Sequence, residues 1–294
     1  MGTFLGHFVP GLSLAFLGLW HVLNTIRCYC FKASEDFSVR FWFPFPKSKH
    51  IELISILFFS LLSIVLLALD FPSFSFTFKP DNLEHASMFL HLAIFVGFAL
   101  FCEVTLSSDM FSGFIGVLLA SVFGQELFLL HFHSTDHVGL EGHYHFLLQL
   151  VVFVSFLSAL ASSFYPKSFS SALVLSVSVL FQGCWFLNMG FMLWVPRFVP
   201  KGCVSTPYHR NPNVAHGAVA CKSLGAENRA KALANLQFSW ILSIITICTC
   251  ALCLKLSAKA ALPKKCQSSE YERLCRQGNE CSVAVKAATS SDQR

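Results

Sequence analysis

Residues 170–194 read SSALVLSVSVLFQGCWFLNMGFMLW, with no Asp, Glu, Lys or Arg among them. A helix needs about 20 apolar residues to cross a hydrocarbon core of about 30 Å, because every backbone polar group in lipid must be satisfied inside the segment. This stretch meets that condition. Six more of the same kind lie near residues 4–26, 51–69, 85–106, 111–130, 145–164 and 236–256.

The whole chain agrees with them. A composition of 54% hydrophobic and 13% charged residues with a mean hydropathy of +0.61 excludes the pair of soluble domains that 294 residues would otherwise allow. The sequence predicts an all-α, polytopic membrane protein: a seven-helix transmembrane domain over residues 1–258, then a polar, weakly periodic tail over 259–294 of the kind expected to be disordered. The first run lacks a basic leading region and a small-x-small cleavage site and is too long for a signal peptide, so it reads as a retained helix. The leading Met-Gly does not continue as a myristoylation signal, since Gly6 stands where Ser or Thr is needed. No Asn-x-Ser/Thr sequon and no internal repeat occurs.

Basic residues resist translocation, so their placement orients the bundle. Fourteen lysines and arginines fall in the connections after helices one and five and in the tail, against seven on the other side, six of those in one long connection from Arg197 to Lys231. The amino terminus is therefore expected to be lumenal or extracellular and the tail cytosolic. The net charge of +5 then reflects topology and not nucleic-acid binding. Cys203 and Cys221 stand alone on the lumenal side and are expected to pair if that compartment is oxidising. In the tail, Tyr271-Glu272-Arg273-Leu274 has the tyrosine-x-x-apolar form of a sorting signal, which would bring cytosolic trafficking proteins to Tyr271 and Leu274.

The chemistry concentrates in residues 125–149, QELFLLHFHSTDHVGLEGHYHFLLQ, which hold five of the 12 histidines. Glu126 lies inside helix four, where a carboxylate needs a partner or a proton. Were helix four to continue past its apolar run, Glu126, His133 and His137 would share a face. Glu141 and His145, four apart at the mouth of helix five, share another. His85 opens helix three at the same end, with His91 deeper and His7 near the start of helix one. Imidazoles and carboxylates at such positions make a candidate site for zinc or another transition metal, with His85, His133 and His145 as ligands and Glu141 supporting them. Glu126 would be the acid or base acting on metal-activated water against a lipid-like substrate. The same residues are also readable as polar pairs at a membrane interface, the ordinary role of such histidines, or as a proton sensor. No HExxH occurs, and the crowding of histidines at one end disfavours bis-histidine haem.

Other polar groups within the runs are few. Glu103 is expected to snorkel to the cytosolic interface, Gln182 to bond between helices beside a glycine that permits close packing, and Trp194 and Trp240 to sit in the lumenal aromatic belt.

Gly6-His7 with Pro10-Gly11, Gly18-Leu19-Trp20, His85, Glu126 with His133, Glu141 before His145, and Gln182-Gly183-x-Trp185-Phe186 together resemble the transmembrane protein 45 family, also called domain of unknown function 716. The resemblance spans helices one to six. It departs at Trp240-Ile241, where animal members have Trp-His, and in the connection from Arg197 to Lys231. It implies an integral membrane protein of the endomembrane system or plasma membrane with no established activity, whose polar positions are His85, Glu126, His133, Glu141, His145 and Gln182. Two functions stay open: a metal-dependent site acting on a lipid-like molecule at the lumenal leaflet, and a non-enzymatic scaffold or adaptor recruiting through its tail. An ion path is disfavoured, since Glu126 and Glu103 lie near opposite ends of different helices.

Overall fold

A computed structural model describes residues 3–31, 37–45, 48–70, 75–76, 80–105, 111–132, 139–205 and 218–261. Its helices are α1 (Phe4–Phe31), α2 (Ile51–Ala68), α3 (Pro80–Thr105), α4 (Ser112–His131), α5 (Gly139–Phe164), α6 (Phe169–Trp194) and α7 (Leu224–Ala261). Two short antiparallel pairs accompany them: β1 (Leu69–Asp70) with β2 (Ser75–Phe76), and β3 (Cys203–Ser205) with β4 (Val219–Cys221). Among the described residues all seven helices are long and apolar enough to cross a membrane. The chain divides into two units, Met1–Thr249 and Cys250–Arg294. The described part of the second is the last turns of α7.

Several helices start before their apolar runs, for local reasons. α3 opens on Pro80, whose fixed φ suits the first helical position. α7 begins inside what the sequence suggests is a connecting loop. Ser223 caps it, its Oγ accepting from Ala226 N at 3.2 Å, and Lys231 pairs with Glu227 at 2.7 Å one turn on. Ala226, Ala230 and Ala234 recur every four residues and are buried on one face. The described part of α4 ends at His131, with Phe132 as its C-cap. His133 and His137 lie outside the described residues, as do Tyr271 and Leu274.

Packing runs in the order α1–α6–α5–α4–α3–α2. α7 lies against α5 and α6, with Phe238 on Phe181 and Trp185, and with Gln237 Oε1 accepting from Tyr144 Oη at 2.7 Å and Asn188 Nδ2 at 3.1 Å. The α1–α6 contact is the closest. A methyl group at Gly18 would collide with the backbone of Leu180, and one at Gly183 with the backbone of Ala15, so only glycine lets these two backbones meet. Thr25 and Ser176 add a hydroxyl pair at 3.2 Å across the same interface.

Two links secure the end of the bundle away from the histidines. Val39 N donates to Pro166 O at 2.7 Å, which holds the segment 37–45 under α5 and α6 and buries Phe37, Trp42 and Phe43. Lys49 reaches Glu103 at 3.0 Å, so Glu103 is paired rather than snorkelling alone. At the opposite end Cys203 and Cys221 form a disulfide across β3 and β4.

Replacing Gly18 with Val should lower the stability of the purified protein by about 1–3 kcal/mol or more, because the backbone of α6 must retreat. Gly97→Ala on α3, where an added methyl meets nothing within 4 Å, should leave the unfolding midpoint in detergent unchanged or slightly raised.

Candidate functional site

The first and last members of the packing order, α1 and α2, do not pack along one another among the described residues. Between them and the inner faces of α3, α4 and α6 lies a cavity of about 1540 Å³. That exceeds the range of about 300–1,000 Å³ usual for small-molecule pockets. Phe16 of α1 and Phe58 of α2 both line it, yet are 66% and 67% exposed. Its mouth is therefore an apolar slot between α1 and α2, open sideways at the level of the hydrocarbon core.

One contact bridges the slot. Glu52, buried in the first turn of α2, accepts from Trp20 Nε1 at 2.8 Å and pairs with His21 Nε2 at 2.8 Å, both from α1. The same carboxylate accepts from Phe43 N at 3.0 Å, and the Trp20 ring stacks on Phe45 at 4.1 Å. Three donors on one acid satisfy a group that lipid could not. Counting polar groups within the apolar runs would have exposed this cluster, because His21 and Glu52 both fall inside predicted spans, yet neither is a feature of the histidine hairpin.

The polar end of the cavity is built from four helices. Glu126 (α4), Glu141 and His145 (α5), His85 (α3) and His7 (α1) line it, and Gln182 (α6) lines the cavity about two turns deeper. Glu141 is buried and accepts from Ala218 N, which docks the disulfide-bearing β3–β4 hairpin over this end, and Ser205 and Ala218 also face the cavity. The His145 ring lies across that of His7, with centroids 5.9 Å apart, and His7 stacks on Trp194 at 4.3 Å. Trp194 thus faces the chamber rather than a lipid belt, whereas Trp240 is exposed.

Backbone geometry sets the tautomers. His145 Nδ1 lies 3.0 Å from Glu141 O and His7 Nδ1 lies 3.1 Å from Thr3 O. A carbonyl only accepts, so each Nδ1 carries a proton. His7 belongs to this site although its sequence position alone gives it no partner; the α1–α6 contact brings it there.

Other residues divide between chamber and periphery. His131 bonds Gln149 Oε1 at 3.3 Å and His143 bonds Asn235 Oδ1 at 2.7 Å, both in exposed positions, and His91 bonds Ser121 between α3 and α4. Gln182 Nε2 donates to Ser155 Oγ of α5 at 2.7 Å, and Ser155 donates on to Ser178 Oγ at 2.8 Å. Among the described residues no three His, Cys, Asp or Glu side chains form a group able to hold a metal ion.

Comparison with known proteins bears on the same region. The sequence profile described as "Family of unknown function (DUF716)" matches residues 112–254, which covers α4 to most of α7. The chain is similar to mouse transmembrane epididymal protein 1A, with 28% identity over 209 residues, 67% of this chain and 68% of the relative. It is similar to rat transmembrane epididymal protein 1 as well, 28% identical over 211 residues with the same shares covered.

Removing the carboxylate that bridges the slot should be costly. Glu52→Ala leaves the Trp20 indole N–H and the Phe43 amide unpaired, each worth about 1–3 kcal/mol when buried. Glu52→Gln, which keeps an acceptor oxygen, should lose clearly less when both are compared by thermal unfolding in detergent.

Proposed function

Since the chain belongs, through residues 112–254, to the family of unknown function DUF716, and is a multi-pass membrane protein, we propose that it binds one lipid-like molecule taken sideways from the bilayer. The observation that carries this reading is the slot: an apolar mouth rimmed by Phe16 and Phe58 leads into a chamber whose far end holds His7, His145, Glu126 and Glu141. An entrance rimmed by phenylalanines suits lipid tails, and a polar head finds imidazoles and carboxylates together at the histidine end. Arg40 is the one Lys or Arg among the lining residues, and it belongs to the segment at the opposite end. Beside two carboxylates and three imidazoles, a neutral head is accommodated better than an anionic one.

A second reading gives the polar end chemistry. Histidines that bind metals usually spend their second ring nitrogen on a carbonyl or carboxylate, and His7 and His145 both do so through Nδ1. Zinc or another transition metal held by His145 and His85, with His133 joining and Glu141 supporting, would activate water, and Glu126 would serve as acid or base in hydrolysis of the bound lipid. The paired Cys203 and Cys221 suit an oxidising compartment, which supports reading this end as the lumenal or extracellular one.

Native mass spectrometry of gently purified protein should show one bound lipid per chain. Val122→Trp, which fills the chamber from α4, should reduce that occupancy at least about tenfold, since overfilling a cavity excludes its guest. An empty wild-type chamber, or equal occupancy in the variant, would refute lipid binding at this site. Metal analysis of the same preparation decides the second reading. Near-stoichiometric transition metal, lost in His145→Ala, would establish it, while metal-free wild-type protein would leave the histidines as hydrogen-bond partners of the lipid head.

A further inference from the structure

Three carboxylates line the chamber, and two of them are engaged. Glu52 accepts from Trp20, His21 and the Phe43 amide, and Glu141 accepts from Ala218 N. The third, Glu126, makes no hydrogen bond or ion pair among the described residues. Its oxygens are not among the buried side-chain atoms that lack a partner, so they are open to contact. The residue is half-buried and shares the cavity face of α4 with Leu119, Val122, Phe123 and Leu130. The wall has neutral polar groups too, but the hydroxyls of Ser13 and Ser176 already donate to carbonyls of their own helices. Glu126 is the acid left without a counterpart.

Its place can be read from its neighbours. Leu130 O accepts from Gln149 Nε2 at 3.0 Å, and α4 and α5 run antiparallel, so Glu126 stands roughly level with Phe153 of α5. That makes it the innermost acid of the polar end, with Glu141 and His145 beyond. Arg40 is far from it. Val39 N donates to Pro166 O, thirteen residues past Phe153 and so about 20 Å along the bundle at 1.5 Å per residue. In hydrocarbon a lone carboxylate is costly, and acids inside membrane spans are matched by a cation or a proton. No Lys or Arg of the chamber wall reaches this one, so a molecule entering the chamber can supply the cation.

We propose that the head group of the chamber's lipid carries a protonated primary amine, which pairs with the Glu126 carboxylate while the hydrocarbon chain fills the space toward the slot. The proposal rests on the chamber reading above and narrows it from any lipid-like molecule to a long-chain amine. An alkyl amine resembles the lysine side chain, whose pKa near about 10 keeps it cationic at neutral pH. Its N–H donors suit an oxygen pair that has no donor from the protein. Attraction between opposite charges grows as water is excluded, so an ammonium gains more beside Glu126 than a hydroxyl on the same chain.

The test uses full-length protein in phosphatidylcholine nanodiscs at neutral pH, with radiolabelled stearylamine and stearyl alcohol, equal in chain length, measured as saturable binding above protein-free discs. On wild type the amine should half-saturate at a mole fraction at least about tenfold below that of the alcohol. Glu126→Gln, of the same shape without the charge, should bring the two within about twofold of each other. Amine binding no tighter than alcohol binding on wild type would overturn the proposal, leave the chamber reading intact and assign a proton to Glu126. A tenfold preference that survives in Glu126→Gln would overturn it as well, by placing the ammonium against another group. Absence of saturable binding for both probes would reject the chamber reading and this proposal together.

Discussion

Two backbones touching at Gly18 and Gly183 set the geometry of this protein. In lipid, apolar side chains gain little by leaving their surroundings, and helices associate where small residues let main chains approach and dispersion contacts accumulate. α1 and α6 meet in that way, with Thr25 and Ser176 bonded across the contact. The remaining helices follow α6 in sequence-adjacent pairs, α6 on α5, α5 on α4, α4 on α3 and α3 on α2. α1 packs along α6 and meets α2 through the Glu52 contact. The chamber is the space left by that choice, and His7 reaches His145 only because α1 lies where α6 holds it.

A bundle with an open seam must still satisfy what the seam contains. Glu52 does this by collecting Trp20, His21 and the Phe43 amide, and so ties the two sides of the slot at one level while the rest of its length stays apart. The polar end is managed differently: Glu141 uses its carboxylate to hold the β3–β4 hairpin and its carbonyl to orient His145. Each acid thus has a positional task as well as a place on the chamber wall.

The number of helices and their class were legible from hydropathy alone, because the demand for internal hydrogen bonding in lipid leaves few alternatives. Helix ends were less so. Pro80 and the Ser223 cap act through local geometry that an apolar window does not register, and the alanine stripe of Ala226, Ala230 and Ala234 contributes little to hydropathy yet packs well. Of the candidate site, His85, Glu126, Glu141, His145 and Gln182 do line one cavity. His7 was legible as a histidine at this end but not as a neighbour of His145, which depends on α1 pairing with α6, and the Trp20–His21–Glu52 cluster needs the approach of α1 and α2 at one level.

The same pairing has a consequence for biosynthesis. Thr25 and Ser176 are 151 positions apart, and a ribosome covers that distance in roughly 8–30 s at 5–20 residues per second. Through that interval α1 rests in the bilayer with its glycine face uncovered, while α2, α3, α4 and α5 emerge and find neighbours among themselves. The first helix to be made is thus among the last to be placed, and whatever guards that face until α6 arrives, be it lipid or an insertion factor, takes part in building the chamber.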